Sequence, residues 1–129
     1  MLRRALTVTL ALAAAAGALP ASAQTSRPFP ATALRGTLEV TLPPLVLLDG
    51  TPARLSPGAR IRGADNQMKM SGMLVGQSML VHYTIEPQGM LHDVWILTEE
   101  EASRKPWPTN AKQADRWLFN PSAQTWTKR

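Results

Sequence analysis

The stretch SMLVHYTIEPQGMLHDVWIL, residues 78–97, decides the fold. Two β-rich runs flank Glu86-Pro87-Gln88-Gly89, which suits a type I turn closed by a glycine in the left-handed region, the usual three-residue hairpin loop. In that register Glu86 faces Met90, Ile85 faces Leu91, Thr84 faces His92 and Tyr83 faces Asp93. Further out, His82 faces Val94, Val81 faces Trp95 and Met79 faces Leu97. Side chains alternate along a strand, so one face collects Met79, Val81, Tyr83, Ile85, Leu91, Trp95 and Leu97, with Asp93 the one exception. That is a core face. The other carries Leu80, His82, Thr84, Glu86, Met90, His92, Val94 and Ile96, a mixed set expected of a partly covered outer face.

Working upstream, short strand-like runs alternate with turn signals, and no helical period is sustained between residues 33 and 97. LRGTLEVTL (34–42) alternates in its second half, and LVLL (45–48) is followed by Asp49-Gly50, the strongest short hairpin signal. LSPGARIR (55–62) turns into another strand, Gly63-Ala64-Asp65-Asn66 is a turn, and Met68–Met70 reads as a strand of its own. The expectation is a mainly β domain: a small OB-like or SH3-like antiparallel barrel over residues 34–98, with a short C-terminal helix and an aromatic tail. Before it, QTSRPFPAT reads as a flexible arm, assigned to residues 24–33.

The chain opens MLRRALTVTLALAAAAGALPASAQ. Arg3 and Arg4, an apolar run from Leu6 to Leu19 and the small-x-small site Ala21-Ser22-Ala23 predict a signal peptide over residues 1–23. Cleavage there predicts a periplasmic mature chain that is not transmembrane. It lowers Lys+Arg from 14 to 12 against 9 acids, a net charge of +3 rather than +5. A mild basic excess in an exported chain suits an envelope protein, a glycan or anionic lipid, and the compartment argues against nucleic acid. With no cysteine, disulfide staples, thiol redox work and thiolate metal sites are excluded.

Downstream, Thr98-Glu99-Glu100-Glu101 is a capping box opening a helix over residues 99–105, stopped by Pro106 and Pro108. Residues 106–129 form a basic tail rich in tryptophan, in which WLFNPSAQTWT reads as a hairpin around Asn120-Pro121 that brings Trp117 and Trp126 together. Trp117, Phe119 and Trp126 serve either as extra core or, with nearby cations, as an aromatic platform for glycan rings or lipid head groups. Arg60 and Arg62 are further candidates for anionic partners. Catalysis finds no support: there is no G-x-S-x-G nucleophile elbow and no glycine-rich phosphate loop, so no cofactor is expected.

The stretch LVGQSMLVHYTIEPQGMLHDVWILT (74–98), with RGTLEV (35–40) and VLLDGTPARLSPGARI (46–61), resembles small exported OB-like β-barrel proteins of Gram-negative bacteria, most without an assigned activity. The resemblance covers residues 35–98 and implies the barrel rather than a chemistry. A weaker similarity is to the periplasmic OB-barrel copper/silver chaperone, whose site is a W-x-x-M-x-M segment with a histidine from a neighbouring strand. That likeness implies Met68 and Met70 as thioether ligands for copper, with His82 or His92 supplying nitrogen. His82 and His92 would be diagonal neighbours on the hairpin, near enough to share a metal, or ordinary residues of a half-solvated face. The expected function is an exported, non-catalytic binding or accessory module; the alternative is a periplasmic Cu(I)/Ag(I) carrier.

Overall fold

In a computed structural model, residues 27–129 are described; the signal-peptide expectation for residues 1–23 lies outside them. The barrel is built from β1 (Leu34–Val40), β2 (Leu45–Leu48), β3 (Thr51–Arg62), a two-residue β4 (Met68–Lys69), β5 (Ser78–Ile85) and β6 (Leu91–Ile96). β1 pairs with β2 and β5, β2 with β3, β3 with β6, and β6 with β5, closing a five-stranded ring from which β4 hangs on β3. Every neighbour pair in the ring is antiparallel except β3 and β6, which run parallel. That connectivity is an OB-like barrel; closure leaves the ring without an open edge.

Local chemistry sets the corners. Asp49 (φ 52°) and Gly50 (φ 81°) form the two-residue turn between β2 and β3, with Leu48 facing Thr51. Asp49 also accepts the Thr37 amide at 2.8 Å, tying the turn to β1. There Gly36 is needed: a Cβ would lie 3.1 Å from both Leu48 and Asp49 and 3.2 Å from Tyr83. The twelve-residue β3 serves two neighbours in the ring, β2 through Thr51–Arg54 and β6 from Leu55 on, and its register with β6 shifts between Leu55 and Arg60, where Pro57-Gly58 interrupts the ladder.

The hairpin of β5 and β6 keeps its predicted turn. Glu86 N–H reaches Met90 O at 2.8 Å, Gly89 N–H reaches Glu86 O at 2.8 Å, and Gly89 is left-handed at φ 88°. Ile85 faces Leu91 as expected, but beyond that pair the register slips by one, so Tyr83 faces Val94, His82 faces Trp95 and Val81 faces Ile96. A β-bulge opposite Thr84 takes up the extra residue, and the Asp93 amide there donates to Thr84 Oγ1 at 3.1 Å. The bulge corrects the expected core face. Val81, Tyr83, Leu91 and Val94 enter the barrel with Leu38, Val40, Val46, Leu55, Ile61 and Leu74, Ile85 is 45% exposed, and Trp95 turns outward.

Outside the barrel a second core forms from Phe29, Ala33, Trp95, Trp107 and Trp126. The expected helix is α1 (Glu99–Ala102), shorter than 99–105 but opened by the full capping box of Thr98 and Glu101. An unanticipated α2 (Ala111–Arg116) follows, capped by Asn110. The tail hairpin is present as β7 (Leu118–Asn120) and β8 (Thr125–Thr127), but it pairs Phe119, not Trp117, with Trp126. The stretch read as a flexible arm is anchored where it is described, with Arg27, Phe29 and Ala33 buried and Pro28, Pro30, Ala31 and Thr32 exposed between them. No helix among the described residues is long and apolar enough to cross a membrane.

Candidate functional site

His82 sits at the joint between the two cores. It is fully buried, stacked on Trp107 with ring centroids 4.1 Å apart and edge-on to Phe29 at 4.5 Å. Its Nε2 accepts the Arg35 Nε–H at 3.2 Å, and Nδ1 has no partner among the described residues. Burial first, and then the charges of Arg35, Arg27 and Arg104, push the imidazole pKa down to about 2, so it is held neutral. Arg35 donates onward to the Glu101 and Ala102 carbonyls and lies over the Trp107 ring at 5.5 Å.

A second arginine bolts the arm down. Arg27 meets the Glu101 carboxylate in a bidentate pair, with Nε to Oε2 at 2.9 Å, and also donates to Gly63 O at 2.9 Å and Ile96 O at 2.8 Å. Burial works to raise the Glu101 pKa, but the hydrogen bonds from Arg27 and Thr98 outweigh it and hold the carboxyl below its usual range. At the other end of the arm, Gln124, left-handed at φ 55°, reads the Phe29 backbone both ways: Oε1 accepts its amide at 2.9 Å and Nε2 donates to its carbonyl at 3.3 Å. Trp107 Nε1 donates to Ala33 O at 3.0 Å. These groups are enclosed, and apart from His82 Nδ1 their polar atoms are spent on contacts within the fold, so they hold structure rather than offer a site.

The surface they support does offer one. A cleft of about 630 Å³ lies between the start of β1, the tip of β5, α2 and the tail hairpin, lined by Leu34, Ile85, Trp117, Leu118, Phe119 and Trp126 among others. Its volume is in the range of small-molecule sites, which run about 300–1,000 Å³. Leu118 is 53% exposed at its rim and Trp126 is buried. A second cleft of about 510 Å³ adjoins it, lined by Asp115, Arg116, Trp117, Lys128 and Arg129. Trp117 and Asp115 line both. The indole is thus a ridge shared by an apolar cleft and a cationic one, and Lys128 Nζ lies 5.2 Å from its ring centroid.

Of the residues singled out in the sequence, Trp117, Phe119 and Trp126 are brought together. Arg60 and Arg62 lie on β3 and line neither cleft. The copper set does not converge. His82 is enclosed by Phe29, Trp107 and Arg35, while His92 Nδ1 is 3.2 Å from Ser56 Oγ. The bulge has moved His82 opposite Trp95, three positions beyond His92, so the two are not diagonal neighbours. Met68 (57% exposed) and Met70 (73%) sit on the surface around β4. Among the described residues no group of three or more His, Cys, Asp or Glu is placed to hold a metal ion. Sequence reasoning passed over Trp107, Arg27 and Arg35. A tryptophan between two prolines, which fix it in extended chain, was the available signal for the first.

Comparison with protein-family models, curated proteins and solved structures finds no match. The clefts therefore stand on their own geometry.

Proposed function

We propose that this chain is a non-catalytic binding module of the cell envelope, and that it binds through the Trp117 ridge. Export rests on the signal-peptide pattern of residues 1–23. The binding reading rests on one observation above all: an apolar cleft and a cationic cleft share a half-buried tryptophan. Each cleft also carries an exposed side chain of its own kind, Leu118 in the apolar one and Lys128 in the cationic one. Two buried titratable groups, His82 and Glu101, are locked in structural contacts and line neither cleft, which favours binding over acid–base chemistry.

The test is retention. The exported protein, immobilised, is expected to capture envelope material from a detergent extract, and Trp117→Ala is expected to lose that capture with its circular dichroism unchanged. Undiminished capture by the variant would remove the ridge from the function.

A further inference from the structure

We infer that the Trp117 ridge takes a single-chain amphiphile with an anionic head: its chain lies in the apolar cleft and its head rests against Arg116 and Lys128. This deepens the proposed binding function and depends on it. The apolar cleft is a preformed concavity. Phe119 and Trp126, two of its walls, meet ring against ring at 4.8 Å, and Trp126 meets Trp107 at 6.1 Å, so these walls are braced on the outer core. Alkyl chain is the simplest matter to fill such a hollow, because the wall supplies aromatic and aliphatic surface and no free polar group is needed to orient it. Trp117 and Asp115 are shared with the adjoining cleft, whose lining adds Arg116, Lys128 and Arg129, with Asp115 the single acidic side chain. Three basic side chains against one acidic side chain favour an anion there over a zwitterion.

The shape selects a monomer over a bilayer surface. A bilayer contact needs apolar side chains that project, usually from an amphipathic helix of several turns. Here α2 has six residues, and the aromatic side chains of the tail face inward onto one another or line the cleft. A glycan, the other envelope candidate, would use the aromatic ring faces but would find only the Thr32 and Asp115 side chains to pair its hydroxyls, the rest of the wall being apolar.

The experiment follows intrinsic tryptophan emission of the exported protein as lysophosphatidylglycerol is added below its micelle concentration, with lysophosphatidylcholine and glycerol phosphate in parallel. Saturable one-to-one binding of the anionic lysolipid is expected, with the zwitterionic one roughly tenfold weaker. The double variant R116E/K128E should erase that preference, Leu118→Asp should abolish binding of both, and Asp115→Asn should tighten the anionic one. All four positions are exposed, so the fold is expected to survive each change. Equal affinity for the two lysolipids, full competition by glycerol phosphate alone, or binding to phosphatidylglycerol vesicles without binding of the monomer would each overturn the inference. If Trp117→Ala loses envelope material while lysolipid fails to bind, the amphiphile is wrong and the ridge stands; if retention is also unaffected, both fall.

Discussion

His82 shows how one side chain can set the pH range of a fold. Its imidazole is neutral between Trp107 and Phe29, with its pKa lowered to about 2 from an ordinary 6.5. Below pH 6.5 the unfolded chain takes up a proton there that the folded chain refuses, so the unfolded state binds more protons and stability falls as pH falls. The stabilisation is complete above pH 6.5 and is lost steadily on the way to the folded pKa, at about 1.4 kcal/mol per pH unit. Between pH 6.5 and 4.5 the slope belongs to this residue; below 4.5 Glu101, whose pKa is also lowered, adds its own loss. Urea unfolding at pH 7, 5.5 and 4.5 should show that decline, and His82→Gln, which keeps an acceptor for Arg35, should flatten it. An equal slope in the variant would mean that the imidazole is protonated in the fold.

Elements are joined by pairs whose members lie far apart in sequence, and this explains what could be read and what could not. The Asp49-Gly50 turn, the Glu86–Gly89 loop, the Thr98 capping box and the Asn120-Pro121 hairpin are all local, and each is found where its residues place it. The bulge opposite Thr84 has no such signature, and a slip of one residue changed the neighbours of both histidines and turned Trp95 outward. The arm looked mobile because its composition is Pro-rich and polar, yet Arg27 finds Glu101 across 74 positions, a contact no local pattern encodes. For the candidate site, the aromatic residues of the tail were legible, but not their cleft, since α2 and the start of β1 complete it. The Arg27–Glu101 pair gives a prediction at this scale. Arg27→Met strands a buried carboxylate and should cost about 3–5 kcal/mol, whereas Arg27→Met with Glu101→Leu should cost less than the sum of the two singles by more than about 1 kcal/mol. Additive losses in denaturant would show that arm and α1 are not coupled through this contact.

At the scale of the molecule, two cores share one sheet. The barrel core is sealed by closure of the ring, and the outer core depends on arm and tail covering His82 on β5 and Trp95 on β6. Trp107 touches His82, Phe29, Phe119 and Trp126, and its N–H holds Ala33, so it is the member through which arm and tail meet. Trp107→Ala should cost about 3–5 kcal/mol, as expected for a buried aromatic, if the protein still folds as one unit. How the loss spreads is more telling than its size. The outer core is tied mainly by side-chain contacts and the short β7–β8 ladder among the described residues, so arm and tail should open together, while the amides of β1, β5 and β6 stay closed by their ladders. Hydrogen exchange on Trp107→Ala should therefore show residues 29–33 and 118–127 losing protection in step, with Val81 and Val94 nearly unchanged. A barrel that loosens to the same extent would make the outer core part of the ring's own stability, and the two clefts would then be features of a single packed body rather than of a cover laid over a self-sufficient barrel.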